Sequence, residues 1–320
     1  MTKRAFQYLF GPVPSRRFGR SLGVDLTPFK TCTLDCVFCQ LGHTTVKTLE
    51  RREYAPIGAV TEEIAAWIHN AGNADYITLA GSGEPTLHSR FGEVIDFIHE
   101  RSSIPVALLT NGTTLSLPEV RAAARRADVI KITLSAWDEK SFKRLHRPCA
   151  GLTFRQLIQG ERQLRDEFRG PVWMEVFLVG GVNSSPAQAQ RIANEARRIK
   201  PDRIQLNTCV RPPAEEFAVA VSGKRMAEFA RLFTPPGEVV AAFHAAGSAA
   251  VKVNTKAIED MLRRRPCTMT DIAGAFGMHL NEVSKYVGEL VHAGRIRAQR
   301  RNGGIYYLAD LRKEPDDANV

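Results

Sequence analysis

The sequence predicts an α/β protein built on a parallel sheet, followed by a smaller unit of three helices and a hairpin. Two observations carry this reading. Between residues 21 and 233, short apolar runs alternate with amphipathic stretches of helical period, six times over. Repeated strand–helix units imply a parallel sheet with right-handed crossovers. Near residue 235 the pattern changes: Thr234-Pro-Pro-Gly237 breaks the chain, and a compact helical unit follows.

The elements read in order as follows. Ser21–Leu26 is a short strand leading into a cysteine-rich loop. Ile57–His69 has helical periodicity, and Tyr76–Ala80 is the second strand. Arg90–Arg101 is helical, and Pro105–Thr110 is a strand that ends in the turn pair Asn111-Gly112. Leu117–Arg126 is helical and Val129–Leu134 is the fourth strand. Phe154–Phe168, Pro186–Ile199 and Gly223–Phe233 are helical, with strands at Val172–Val179 and Arg203–Asn207 between them. Residues 1–235 form the core with an N-terminal extension, and 236–252, small and apolar, a connector. Residues 253–310 form the second unit, and the polar stretch 311–320 a tail that cannot bury a core. In the second unit, helices are expected at Asn254–Arg264, Thr270–Phe276 (with Thr268 or Thr270 as cap) and Leu280–Ala293. Short strands at Arg295–Ala298 and Ile305–Leu308 flank Asn302-Gly303, a hairpin signal.

Bulk composition sets limits. The chain has 320 residues, 44% hydrophobic and 24% charged, enough for a large core and a small second domain. No apolar run is long enough to span a bilayer, and the N-terminus lacks the apolar core of a signal peptide. The expected location is cytoplasmic, where thiols stay reduced. A net charge of +10 favours an anionic partner such as tRNA, DNA, a nucleotide or an acidic protein, or serves solubility alone.

The chemistry is concentrated in Cys32, Cys36 and Cys39, spaced C-x3-C-x2-C with Phe38 before the last. Three thiolates on one loop can hold three corners of a cubic iron–sulfur cluster and leave the fourth iron open to a small molecule. The alternative is zinc, with His43 closing a Cys3His tetrahedron. Disulfides are disfavoured by the sparse, crowded cysteines of an unsecreted chain. Cys149, Cys209 and Cys267 are scattered singly and read as small buried residues. About forty residues on, the strand at Tyr76 runs into Gly81-Ser82-Gly83-Glu84-Pro85. Glycines there allow close approach to a ligand, and a carboxylate suits an ammonium group.

With both motifs in this order the chain resembles the radical S-adenosylmethionine (SAM) superfamily. The resemblance implies a partial (β/α)6 TIM-like barrel whose active site lies at the C-terminal ends of the strands. It implies a [4Fe-4S] cluster on Cys32, Cys36 and Cys39, with SAM chelated by the open iron. One electron then cleaves SAM to methionine and a 5′-deoxyadenosyl radical, which abstracts hydrogen from a substrate. It further implies that Gly81, Ser82, Gly83 and Glu84 hold the SAM amino group. Phe38 packs by the adenine or cluster, or anchors the loop. Asn111 is a further cofactor candidate, as is Ser135, which either meets the ribose hydroxyls or is a satisfied strand-end serine. A one-electron donor such as flavodoxin or ferredoxin is an implied partner.

The segments Phe10–Val24, Cys39-Gln-Leu-Gly42 and Leu206–Pro213 look like a group of iron–sulfur oxidoreductases related to wyosine-synthesis enzymes, which remodel a guanine in tRNA. Those enzymes carry further cysteines for a second cluster, and this chain shows no grouped set. Arg16, Arg17 and Arg20, and separately Arg211, either grip a phosphate or carboxylate or fix the chain on the barrel rim.

The second unit is similar to winged helix-turn-helix modules. Residues 251–310 carry ten basic and six acidic side chains, a modest net of +4. On this reading Lys285 on its third helix and Arg300 and Arg301 on its wing grip a nucleic-acid backbone. Three functions are open: a radical SAM enzyme modifying tRNA or another nucleic acid; one acting on a peptide or small metabolite, with the second unit as a docking module; and a redox- or SAM-responsive DNA-binding regulator.

Overall fold

The computed structural model describes residues 6–15, 17–70, 72–240, 255–278, 280–301 and 304–310. Arg16, most of the expected connector, the hairpin tip Asn302-Gly303 and the polar tail lie outside them.

The elements run β1 (Leu9–Ser15), β2 (Gly19–Val24), β3 (Thr31–Cys32), β4 (Val46–Lys47), α1 (Ile57–His69), β5 (Tyr76–Leu79), α2 (Phe91–Arg101), β6 (Val106–Leu109), α3 (Pro118–Ala124), β7 (Val129–Thr133), α4 (Glu139–His146) and α5 (Phe154–Glu167). They continue with β8 (Val172–Leu178), α6 (Pro186–Ile199), β9 (Arg203–Thr208), α7 (Gly223–Ala230), β10 (Glu238–Val239), α8 (Thr255–Arg264), α9 (Met269–Phe276), α10 (Leu280–His292), β11 (Ile296–Arg301) and β12 (Gly304–Ala309).

One sheet has the order β1-β2-β5-β6-β7-β8-β9-β10. It is parallel from β2 to β10, with β1 antiparallel on its edge. The six expected strands are β2, β5, β6, β7, β8 and β9. The added edge strand β1 contains Gly11, Pro12 and Pro14, residues that weaken a strand pattern and are tolerated at an edge. Helix α4 was also absent from the sequence pattern: eight residues with only Phe142 and Leu145 as large apolar anchors carry too little periodicity. Reciprocal capping boxes start α4 (Asp138, Ser141), α5 (Thr153, Gln156), α6 (Ser185, Gln188) and α9 (Thr268, Asp271).

Alternate residues of each strand divide the sheet into two unlike faces. Leu22, Val24, Ile77, Leu79, Ile130, Ile132, Met174, Val176 and Leu206 pack with α1, α2 and α6 in the main apolar core. The opposite face carries buried Ser21, Thr78, Lys131, Gln205 and Asn207, together with Glu175. At the N-terminal end of that face, Phe18 stacks on Trp173 (centroids 4.9 Å apart) and meets Tyr76 edge-on, forming an apolar floor.

Above that floor lies a charge cluster. Lys131 Nζ donates to Glu175 Oε2 at 2.7 Å, Asn207 Nδ2 donates to Oε1 at 3.1 Å, and Arg17 pairs with the same carboxylate. Burial would push the Glu175 carboxyl up, but Arg17 and Lys131 outweigh it and hold the group down at about 2. Arg17 therefore points into the sheet from the N-terminal strand ends, and Arg20 pairs outside with Asp75. Of their two readings, these pairs favour arginines that fix the chain.

Residues 255–310 form three helices and the β11–β12 hairpin around their own core of Ile258, Leu262, Ile272, Phe276, Val283 and Leu290. This unit touches both sides of the open sheet. Arg264 donates to Asp25 after β2 (2.7 Å) and lies 3.5 Å from the Phe10 ring centroid in β1. Across the gap, Tyr306 Oη donates to the Val210 carbonyl after β9 (3.0 Å), and Arg301 reaches Pro213 and Glu216. Among the described residues no helix is long and apolar enough to cross a membrane.

Glu175→Gln should lower unfolding free energy by about 3–5 kcal/mol near neutral pH, because two buried cations lose their carboxylate. A depressed carboxyl stabilises above its ordinary value of 4.5 and loses that contribution as pH falls toward about 2. Denaturant titrations should thus show the gap between wild type and variant closing over that range. Equal stability near neutral pH would mean that the charges are compensated elsewhere.

Candidate active site

The cysteine loop leaves β2 and the Gly-Ser-Gly-Glu turn leaves β5, so the parallel pairing of these neighbouring strands brings both to one edge. Backbone bonds then join them: Lys30 N–H donates to the Ser82 carbonyl (2.8 Å) and Glu84 N–H to the Thr31 carbonyl (3.1 Å). The approach is too close for side chains at the glycines. A Cβ at Gly83 would lie 2.0 Å from the Thr31 oxygen, and one at Gly81 2.2 Å from an Asp25 carboxylate oxygen.

Asp25 and Glu84 hold this assembly from two sides. Asp25 accepts from Ser82 Oγ (2.6 Å), from Ser82 N–H and from Arg264. Glu84 is buried and accepts from the Thr86 hydroxyl and the Thr110 hydroxyl (2.6 Å each), the Thr86 N–H (3.2 Å) and the Asn111 N–H (2.8 Å). Its carboxylate is turned inward and serves the turn and the end of β6. Asn111 reaches back to the loop, donating to Thr33 Oγ1 (2.8 Å) and lying 3.5 Å from Cys32 Sγ.

Each cysteine has a side-chain nitrogen beside it. Lys30 Nζ lies 3.0 Å from Cys39 Sγ, and His146 Nδ1 lies 3.2 Å from Cys36 Sγ. Burial pushes His146 down to about 4, so the imidazole is neutral at physiological pH. Burial, with Glu84 nearby, pushes the Cys32 thiol up to about 12, and burial beside the other cysteines raises Cys36. These thiols resist ionisation unless a strong Lewis acid binds them.

Phe38 stacks on Phe177 of β8 (centroids 4.3 Å apart) and meets His146 edge-on, which anchors the loop to the sheet. Ser135 is fully buried: its Oγ accepts the Phe177 N–H (2.9 Å) and its carbonyl accepts from Asn183 (3.0 Å). It ties β7 to β8, as the satisfied strand-end serine of its two readings. His43 is exposed and turns to Asp35 (3.4 Å) and Glu215 (3.8 Å). Among the described residues no group of three or more His, Cys, Asp or Glu side chains is arranged to hold one metal ion. His43 engages two carboxylates and not the three thiols. Three thiols on a cubane bind three different irons, so they need not converge on one point.

Cys209 is buried in the apolar cluster beneath the loop and Cys267 in the C-terminal core. Cys149 is half-buried, and its N–H donates to the Thr33 carbonyl. Lys285 and Arg300 are exposed, whereas Arg301 is turned toward the core. Asp25, Lys30 and His146 were absent from the sequence-based candidates. Asp25 alone carried a signal, as a carboxylate at the end of the first expected strand.

The radical SAM superfamily profile matches residues 26–196, which contain both motifs. The chain belongs to the radical SAM superfamily. Within it, UPF0026 proteins of Methanocaldococcus jannaschii and Helicobacter pylori are each 34% identical, matching 65% and 66% of this chain and 65% and 69% of their own lengths. That similarity places the chain in the UPF0026 family. A protein of Brachyspira hyodysenteriae named GTPase Obg is 34% identical over 95% of this chain, and the chain spans 45% of its length. A probable dual-specificity RNA methyltransferase of Koribacter versatilis is 25% identical over 53% of this chain and 50% of its own. A solved radical SAM methyltransferase from Sphaerobacter thermophilus shares the fold, with a TM-score of 0.53 at 20% identity over 68% of this chain and 65% of that one.

As a radical SAM enzyme the chain uses a [4Fe-4S] cluster and SAM, which together supply a carbon-centred radical able to abstract hydrogen. The site fits that pair: Cys32, Cys36 and Cys39 would ligate the cluster, Lys30 would offset charge on the Cys39 sulfur, His146 would pack against Cys36, and the Gly81–Gly83 backbone would line the SAM site.

Replacing any one of Cys32, Cys36 or Cys39 with Ala should reduce iron in the anaerobically reconstituted protein from about four per chain to a small remainder. Reductive SAM cleavage should be lost with it; wild-type cleavage in any single variant would place the ligands elsewhere. Gly83→Ala keeps the thiols but crowds Thr31, at a cost of about 1–3 kcal/mol. Calorimetry should show weakened SAM binding in that variant.

Proposed function

We propose that this radical SAM enzyme modifies RNA, with residues 255–310 folded as a winged helix that receives the strand beside the cluster. The observation that carries the reading is where this unit sits. It reaches across the open sheet from Asp25 to Val210, next to the cysteine loop. A substrate arriving on that side passes the unit before reaching the cluster. The similarity to an RNA methyltransferase of Koribacter versatilis supports the choice of RNA, as does the net charge of +10. Cys32, Cys36 and Cys39 act as the cluster ligands, and a flavodoxin- or ferredoxin-type protein supplies the electron. The cluster and SAM would supply a radical that takes hydrogen from the RNA. Wyosine-type chemistry with a second cluster is not part of this reading, because Cys149, Cys209 and Cys267 stand in three different environments.

A second reading has its own support. A groove of about 500 Å³ on the C-terminal unit is lined by Met269, Val287, Val291, Ala298 and Tyr307. Such an apolar groove suits a peptide better than a phosphate backbone.

The test uses reconstituted protein, dithionite, SAM and RNA transcribed from deuterated nucleotides. Deuterium should appear in the 5′-deoxyadenosine, and RNA should raise its rate of formation. RNA-independent cleavage without deuterium transfer would overturn the proposal, and deuterium arriving from a labelled peptide pool would favour the second reading.

A further inference from the structure

A cavity of about 580 Å³ lies between the core and the C-terminal unit. One wall is Gln40, Leu41 and Gly42, the residues directly after Cys39; another is Pro212–Ala214, after β9. The facing wall, from the end of α8 and the hairpin, presents Arg263, Arg265, Arg297 and Arg301, against one carboxylate, Asp310, among the described residues.

The four arginines are not equivalent. Arg263 is paired with Glu259 (3.0 Å), and Arg301 bonds the Pro213 carbonyl and Glu216 (3.4 Å each). Among the described residues, Arg265 and Arg297 have no carboxylate partner. Behind the wall, Arg211 is buried with its Nε unpaired, held by Gln40 (3.4 Å) and by Asp271 (3.7 Å). Burial and then the charge of Arg265 lower the Arg211 pKa, so the two guanidiniums are close enough to repel one another. Like charges gathered around one cavity repel one another, and an anion there would relieve that repulsion. Their planar donors match phosphate oxygens. The volume lies within the range of small-ligand pockets, large enough for a backbone phosphate with its nucleotide and too small for a duplex.

We infer that this cleft is a phosphate-binding site for a single RNA strand, with Arg265 and Arg297 as its principal contacts, and that it leads the strand toward the cysteine loop. The inference rests on the RNA reading above and adds the place and mode of binding. It moves the contacts from Lys285 and Arg300 to the cleft lining, half-buried Arg265 after α8 and exposed Arg297 on the hairpin.

Binding of a fluorescent transfer-RNA transcript would be measured between about 50 and 200 mM salt. Each lost phosphate contact removes about 0.7–0.9 from the slope of log affinity against log salt. Arg265→Ala/Arg297→Ala should therefore flatten the slope by about 1.4–1.8. Arg265→Lys/Arg297→Lys, which keeps the charges, should retain most of it, and Lys285→Ala should leave it unchanged. Unaltered melting temperatures would establish that each variant is folded. If the wild type binds RNA and the double alanine variant keeps its full slope, the cleft assignment fails while the RNA reading stands. If the wild type shows no salt-dependent RNA binding, or an acidic peptide binds the cleft in its place, both fail.

Discussion

The buried carboxylate of Glu84 is the interaction on which the site depends. It gathers four donors from two strand ends: Thr86 twice, Thr110 and Asn111. Asn111 then bonds Thr33 and approaches Cys32, so the position of the cysteine loop follows from a carboxylate that the loop itself does not touch. A buried carboxylate is stable only when its oxygens are filled, and here polar groups of the protein fill them. Its satisfaction therefore requires the ends of β5 and β6 to stay aligned, and the rest of the site inherits that alignment.

Asp25 extends the same logic between the two parts of the chain. Its oxygens hold Ser82 in the turn beside the cysteine loop and Arg264 in the C-terminal unit. Docking of that unit and the shape of the turn thus share one acceptor group. Arg264 also packs on Phe10, so the contact couples charge pairing to a cation–π interaction. A change in how the unit is seated would be felt at the turn through this single side chain.

The sheet itself separates two environments. Its helix-covered face is an ordinary aliphatic core. The other face keeps Lys131, Glu175, Gln205 and Asn207 out of bulk water above an aromatic floor. Such a polar interior costs stability unless its members satisfy one another. The Arg17–Glu175–Lys131 cluster pairs its charges, while Arg17 Nε and Gln205 Oε1 stay unpartnered beneath the catalytic end of the strands.

Much of this was legible in the sequence because it is local. Six strand–helix repeats are a matter of apolar period, and α1 and α6 fall on their expected bounds. The cysteine spacing and the Gly-Ser-Gly-Glu turn are short motifs whose meaning lies in neighbouring residues. What went unseen was either weakly patterned, as with proline-bearing β1 and polar α4, or remote. His146 stands 110 residues from Cys36, and Arg264 stands 239 from Asp25. Ser135 and Glu84 carried chemistry that suited a ligand, yet the folded chain engages Ser135 with its backbone and an asparagine, and Glu84 with two hydroxyls and two backbone N–H groups. By itself, then, the sequence determined the order of elements and which loop carries the thiols, since those follow from periodicity and spacing. Only the tertiary structure decided which polar groups are consumed inside the protein and which arginines line the gap beside the cluster. Hydrogen bonding and charge pairing across the fold depend on distances that chain order does not encode.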